Sequence, residues 1–326
     1  MAGWNHGERG RGLGLNLSDR LRQRQGSTAK SGPGLNPRML AEPELASGFL
    51  GGTVEKNDHV SYYLIEEDVA LDFPPLVGDA KRLERQLQLI TGIGPKTADR
   101  LQQSGVVWVA ELLEHERFGR GATEVLQCIQ SRDAARLSGW GASDWDLARL
   151  FEPEEFVFLD LETTGLCSTQ PLFLIGLIYF KEGRLCLEQF LARSFEEEIG
   201  VLGAAAEVLS QRPVWVSYNG RTFDEPFLNG RLRYYLGESL APKLHIDLLR
   251  HVRRHYRGLL PDCRLTTVET YVLDAYRSGD VPGYMIPELY YQFVLYQEPS
   301  LLEMVLLHNS RDLQTLVQLL GVIQGL

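Results

Sequence analysis

Along the chain the spacing of apolar residues changes period, and each change marks a boundary. Residues 1–38 are rich in Gly, Arg, Gln and Ser and hold no sustained period, so they are expected to form a mostly disordered basic arm, with a short amphipathic turn near Leu15 to Leu21 at most. From Phe49 to Phe73, "FLGGTVEKNDHVSYYLIEEDVALDF" alternates apolar and polar positions around Gly and Asn-Asp breaks and closes on Pro74 and Pro75. That predicts an accessory β-hairpin segment within 39–78. Over 80–145 the apolar positions fall three and four apart in "LERQLQLI", "ADRLQQSG" and "VAELLEHE", which predicts a compact all-α domain.

From Glu155 the period drops to two. Strands are expected over 156–161, 172–180 and 184–191, with a tight turn at Lys181 to Gly183 making a meander. A helix on "LGAAAEVLSQ" precedes a strand at 213–218, and a short strand at 243–247 leads into helices over 248–257, 266–274 and 287–321. Three antiparallel strands followed by alternating helices and strands describe a mixed α/β sheet flanked by helices, filling 152–326. No repeat of solenoid period is present.

Composition narrows the classes of function. The 326 residues are 44% apolar, enough to fill more than one core. A net charge of −10 argues against coating nucleic acid or an anionic membrane through the overall field. The charge is uneven, since residues 1–38 hold seven Lys or Arg against two acids. A polyanion would therefore be met by local basic patches and bound metal. The N-terminus has no signal-peptide run, and the longest apolar stretch, "PLFLIGLIYF", is half a membrane span, so a soluble, cytoplasmic protein without membrane association is expected. Cys128, Cys167, Cys186 and Cys263 show neither CxxC pairing nor a His at zinc-finger spacing, and are expected to be buried thiols.

The chemistry concentrates where strands end. In "FVFLDLETTGL" (156–166), alternation sends Asp160 and Glu162 to one face, where two carboxylates repel unless hard divalent cations take oxygen ligands between them. Small residues follow at Thr163, Thr164 and Gly165, which let backbone amides approach a bound group. "SYNGRTFDEPFL" leaves a strand, turns at Asn219 and Gly220, and places Asp224 at a helix start. In "LLHNSRDLQTLVQLL", His308 and Asp312 are four apart on one helix face. Each alone has a plain alternative: Asp160 as a turn cap, Asp224 as an N-cap, His308 and Asp312 as a surface pair. Their occurrence together, in this order and each beside an apolar element, favours a shared site.

The order DLET, then YN-xxx-FD, then H-xxx-D resembles the DEDD (DnaQ-like) exonuclease superfamily, with its ribonuclease H-like fold. That resemblance implies Asp160, Glu162, Asp224 and Asp312 as metal-ligating acids holding two Mg²⁺ or Mn²⁺, and His308 at the place of the residue that orients or deprotonates the attacking water. The YN-xxx-FD spacing is similar to the proofreading domains of family B polymerases, which carry Tyr where this chain has His308. Within the superfamily, "HIDLLRHVRRHYRGLLPDCRLTTVETYVL", "DVPGYMIPELYYQFV" and "HNSRDLQTLVQLL" resemble the YprB-like bacterial proteins over about 155–321. The resemblance also places Thr163 to Leu166 and Asn219 against the substrate.

Other signals point to nucleic acid. "LITGIGPKTADRLQQSG" resembles a helix-hairpin-helix motif, in which Gly92 and Gly94 permit the turn and Lys96 sits where a phosphate would be favoured. The nine basic and eight acidic residues of 80–145 leave packing as the alternative. "RHVRRHYR" (250–257) holds Arg250, Arg254 and Arg257 on one helical face, to track a substrate strand or to be solvated. Asp247 is expected to act as an N-cap or to support the metal site, and Thr266 with Glu269 as a capping box. Together these lead to an expected 3′ to 5′ exonuclease acting on a DNA or RNA 3′ end, against a noncatalytic nucleic-acid-binding protein, a structure-specific endonuclease, or a protein-interaction scaffold.

Overall fold

The structure is a computed structural model that describes residues 49–325; the basic arm and turn expected within 1–38 lie outside the described residues. The alternating N-terminal stretch folds as β1 (Thr53–Lys56) and β2 (Ser61–Asp68), an antiparallel pair. It does not stand apart as an accessory element. β2 pairs antiparallel with a later strand from Tyr63 opposite Leu191 to Asp68 opposite Cys186, so the hairpin becomes the edge of the main sheet. The physical reason is that the strand it covers is buried on both sides, and its outer row of backbone donors and acceptors needs a partner.

The helical stretch forms α1 (Ala80–Arg85), α2 (Pro95–Gln103), α3 (Gly119–Gln130), α4 (Ala134–Gly139) and α5 (Asp144–Ala148). Leu83, Leu87, Leu112, Val125, Leu137 and Leu147 are fully buried, as the three-and-four spacing required, and their packing runs on without a break into the core of the sheet.

The meander follows as expected: β3 (Phe156–Thr163), β4 (Leu172–Lys181) and β5 (Arg184–Leu191). Then come α6 (Glu198–Ser210), β6 (Val214–Ser217), α7 (Asp224–Leu236), β7 (Leu244–Asp247), α8 (Leu248–Tyr256) and α9 (Leu265–Val272). The single helix expected over 287–321 is instead two, α10 (Ile286–Tyr296) and α11 (Pro299–Ile323). Gln297 takes a left-handed conformation (φ 53°) and Pro299 follows at the next helix start, so the chain turns between them.

The seven strands lie in the order β1-β2-β5-β4-β3-β6-β7. β6 and β7 run parallel to β3, so the carboxyl ends of these three strands open on the same edge of the sheet. Ligand sites in open α/β sheets form at such an edge, where the strand order reverses. α11 packs across β3 and β4, burying Leu313, Leu316, Val317 and Leu320 against Phe156, Phe158 and Ile178. The helical segment is tied to this body at α8, where His251 Nε2 lies 2.9 Å from Asp144 Oδ2 and the imidazole packs on the Trp145 ring at 4.2 Å. No described helix is long and apolar enough to cross a membrane.

Candidate active site

Asp160 and Glu162 sit at the carboxyl end of β3, on the face that α11 covers, and a register shift between Glu162 and Thr163 bends the strand as it leaves them. Asp160 is opposite Gly176 on β4, and Gly176 is opposite Gln189 on β5, so the three form one row across the sheet. Asn309 of α11 lies over that row. Its Nδ2 donates to Asp160 Oδ2 at 2.7 Å, and its Oδ1 accepts from Gln189 Nε2 at 2.9 Å. Gly176 leaves the space: a Cβ there would stand 2.0 Å from Asn309 Oδ1 and 2.6 Å from a Leu313 methyl. Sequence reasoning did not assign Asn309, Gln189 or Gly176 a role. The polar Gln189 and Asn309 within otherwise apolar elements were the available signal.

The second motif is built as a turn held by Asp247. Asn219 adopts a left-handed conformation (φ 70°) and donates its backbone N–H to Asp247 Oδ1 at 2.8 Å, while Asp247 also caps α8 through Leu249 N at 3.1 Å. Gly220 permits the close approach that follows, since a Cβ there would meet Ser217 Oγ at 2.2 Å. Asp224 then opens α7, buried, with Phe223 rather than Asp224 at the cap position. Glu225 beside it reaches His245 Nδ1 at 2.7 Å, whose Nε2 is 2.8 Å from Ser217 Oγ, which fixes the start of α7 against β6 and β7.

The third motif places His308 and Asp312 one turn apart on α11. His308 Nε2 is 3.6 Å from Asp312 Oδ2, and its Nδ1 is 3.0 Å from Asp280 Oδ1. Arg277 fills the remaining space: its guanidinium pairs with Asp312, with Asp280 at 2.9 Å and with Glu269 at 2.5 Å. The capping box expected of Thr266 and Glu269 does not form. α9 starts at Leu265 with no side-chain cap, and Glu269 is buried against Arg277 and Thr315 instead. A buried guanidinium is a stronger partner for that carboxylate than an exposed helix end. Arg277 and Asp280 lie in an irregular stretch between α9 and α10 that carries no periodicity, so nothing local announced them.

The electrostatics of the four predicted acids are those of carboxylates in mutual reach. Burial, then Asp312 and Asp224, push the Asp160 carboxyl well above the usual range, with Asn309 and Arg277 pulling the other way. Glu162 is pushed well up by burial and by Asp160, Asp312, Asp224 and Asp280. Burial raises Asp224 to about 7 against the pull of backbone amides, and raises Asp312 against His308 and Arg277. Asp280 differs: although burial works to raise it, Arg277 and His308 hold it below the usual value. Arg277 is divided among three acids, so the group as a whole keeps surplus negative charge. Convergent oxygen ligands with surplus charge fit a hard divalent cation, and the donor set Asp160, Glu162, Asp224 and Asp312 matches that requirement.

The predicted acids are more openly spaced than a second group, Glu66, Cys186 and Glu188, whose ligand atoms all lie within 4.8 Å of one another, the one such group among the described residues. There the Lys181 ammonium pairs with both Glu66 and Glu188 and offsets one of their two charges from within the chain.

The loop after β3 carries Thr163 and Thr164, both buried and both spent on loop hydrogen bonds, to Gly165 O at 2.6 Å and Pro171 O at 3.0 Å. Leu166 by contrast stands 89% exposed at the rim. Arg231 pins the loop by donating to Ser168 O at 3.1 Å while paired with buried Glu198. Arg250 and Arg254 are exposed on α8; the arginines at that helix that line a cavity are Arg253 and, at its end, Arg257. In the hairpin-like segment, Gly92 has φ 93°, Gly94 occupies the cap position of α2, Pro95 is its first residue, and Lys96 is exposed. The four cysteines are free thiols; Cys128 and Cys186 are buried as expected, whereas Cys167, in the loop after β3, is exposed and Cys263 is half-buried.

Carboxylates, one buried and three half-buried, converging at the open end of a mixed sheet under a long C-terminal helix define a ribonuclease H-like protein, and the chain belongs to the RNase H superfamily, whose family model matches residues 157–324. It is more particularly similar to one bacterial relative. It is 34% identical over 178 residues to "Uncharacterized protein YprB" of Bacillus subtilis (strain 168), a match covering 53% of this chain and 42% of that relative's length. The chain is also similar to the solved structure of a family B DNA polymerase from the hyperthermophilic archaeon Pyrobaculum calidifontis, at 16% identity and a TM-score of 0.40, over 50% of this chain and 24% of that one.

Proposed function

We propose that the protein is a divalent-metal-dependent 3′ to 5′ exonuclease of the DEDD type, hydrolysing DNA or RNA phosphodiesters to nucleoside 5′-monophosphates. The observation that carries this reading is the convergence of Asp160 and Glu162 from β3, Asp224 from α7 and Asp312 from α11, all with carboxyls raised by burial, and Asp160 and Glu162 raised further by Asp224 and Asp312. Membership of the RNase H superfamily supports nucleic acid as the substrate class.

Two divalent cations bound among Asp160, Glu162, Asp224 and Asp312 would supply the neutralisation needed as negative charge gathers on the phosphate oxygens and the departing 3′ oxygen. The chain's own residues do the rest. Asn309 and Gln189 hold Asp160 in one orientation, and Arg277 holds Asp312. Asp280 accepts the Nδ1–H of His308, which leaves Nε2, on the side of Asp312, to take a proton from the attacking water. Leu166 offers an exposed apolar face to the terminal base.

The test is hydrolysis of end-labelled DNA and RNA oligonucleotides by the purified protein with Mn²⁺. A 5′ label should give a ladder of fragments shortened from the 3′ end, and a 3′ label should appear at once as mononucleotide. Discrete internal fragments would favour an endonuclease, and absence of hydrolysis with retained binding a noncatalytic protein.

A further inference from the structure

A cavity of about 660 Å³ lies between α8 and the loop 257–265 that follows it, on the side of the second motif. Three of the residues lining it are arginines, Arg253, Arg257 and Arg264, against one carboxylate, Asp262. In a chain of net charge −10 such a concentration is not a sample of the average surface. Arg253 lies in the last turn of α8 and Arg257 is the residue that ends it, both lining the cavity, and no ion pair with a carboxylate is formed by either among the described residues. Asp262 is already engaged, accepting from Thr267 Oγ1 at 2.6 Å and from the backbone N–H of Arg264 at 3.0 Å, and its other oxygen lies 3.7 Å from Arg264 Nε in an exposed pair that a phosphate would share.

The rest of the cavity is shaped rather than merely charged. Leu249, Leu260 and Leu265 give it apolar walls, and Tyr218 ties the loop in place by donating its hydroxyl to Cys263 O at 2.7 Å. Its volume falls within the roughly 300–1,000 Å³ of small-molecule sites. Its wall includes Asn219, which belongs to the turn that delivers Asp224 to the acid cluster. Guanidinium groups around a pocket with apolar walls suit a nucleotide unit, the planar forks taking phosphate oxygens and the apolar side taking base or sugar.

We propose that this cavity is a subsite for one nucleotide of the substrate strand next to the scissile end, with its phosphodiester held by Arg253, Arg257 and Arg264. The subsite rests on the nuclease reading for its choice of strand over any other phosphate-bearing ligand. Of the arginines expected to track a strand only Arg257 lines the cavity; Arg253, which the sequence did not single out, joins it, while Arg250 and Arg254 lie outside.

The experiment measures binding of a fluorescein-labelled single-stranded oligonucleotide to the full chain, by anisotropy in EDTA over a range of salt. Arg253→Gln with Arg257→Gln should weaken binding about tenfold and lower the dependence of log affinity on log salt by about one to two. Arg250→Gln with Arg254→Gln, on the same exposed helix, should have a clearly smaller effect, and Arg253→Lys with Arg257→Lys should recover part of the loss. Equal losses from both glutamine pairs, or none from the cavity pair, overturn the subsite. So does adenosine 5′-monophosphate that binds the wild type as tightly as the oligonucleotide, since the cavity would then take free nucleotide. Hydrolysis with Mn²⁺ separates the two ideas. An active protein indifferent to the cavity pair loses the subsite and keeps the nuclease reading; a protein that binds through the cavity but never hydrolyses does the reverse.

Discussion

Asn309 donates its side-chain amide to Asp160 at 2.7 Å and is itself fully buried. An amide so placed is held from behind by Gln189, so it fixes the carboxylate rather than following it. Asn309→Leu keeps the branched shape, with bulkier ends, and removes the donor. Groups that orient metal ligands typically contribute about 10- to 100-fold in metal affinity or activity, and a loss of that size is expected in both Mn²⁺ titration and hydrolysis. Unchanged Mn²⁺ affinity would show that Asp160 needs no such support.

Gly176→Ala should reproduce that defect without removing a polar atom. The added methyl collides with Asn309 Oδ1, and Asn309 has no open space into which to swing. Overpacking of this kind costs about 1–3 kcal/mol, so a lower melting temperature together with reduced hydrolysis is expected. Stability equal to wild type would mean that α11 shifts freely over β4.

Asp224→Asn should have opposite effects on activity and on stability. Removing a metal ligand is expected to lower hydrolysis by about a thousandfold, equivalent to roughly 4 kcal/mol. In metal-free buffer at pH 7 the variant should melt above wild type, because it relieves a buried acid raised by burial to about 7. A lower melting temperature than wild type at that pH counts against the electrostatic description.

The same shifts set a pH dependence. Asp160, Glu162, Asp224 and Asp312 all have folded-state pKa values above the ordinary one, so the folded protein binds protons more tightly than the unfolded chain. Their contribution to stability is fully present below about pH 4 and is lost as pH rises through the folded value, which for Asp224 is about 7. Stability in EDTA should therefore fall from pH 4 to pH 7 in excess of the change in an Asp224→Asn control. Added Mn²⁺ should restore it most at the upper end, where the carboxylates are ionised. A flat difference curve sinks this.

Arg277→Gln leaves Glu269, Asp280 and Asp312 without their shared guanidinium. Breaking a buried pair from one side typically costs about 3–5 kcal/mol, and urea denaturation should show a loss of that order. A change below about 1 kcal/mol would place Arg277 outside the folded interior.

Much of this was legible locally. The two-residue alternation placed β3 to β7 within a residue or two, and it put Asp160 and Glu162 on one face because side chains on a strand can do nothing else. Four-residue spacing did the same for His308 and Asp312. Other features were out of reach. The β1-β2 hairpin gave no sign that it would join β5, because pairing across more than a hundred residues leaves no trace in either strand's own pattern. Glu269 looked like a capping residue because Arg277 sits eight residues away in an irregular segment.

Chain chemistry alone determined which elements form and which carboxylates stand at their ends, since period and turn residues act over a few positions. Tertiary structure decided what surrounds those carboxylates: Asn309 over Gly176, Arg277 among three acids, and Arg253 rather than Arg250 in the cavity. Burial and charge proximity depend on segments far apart in the chain, and only packing brings those together.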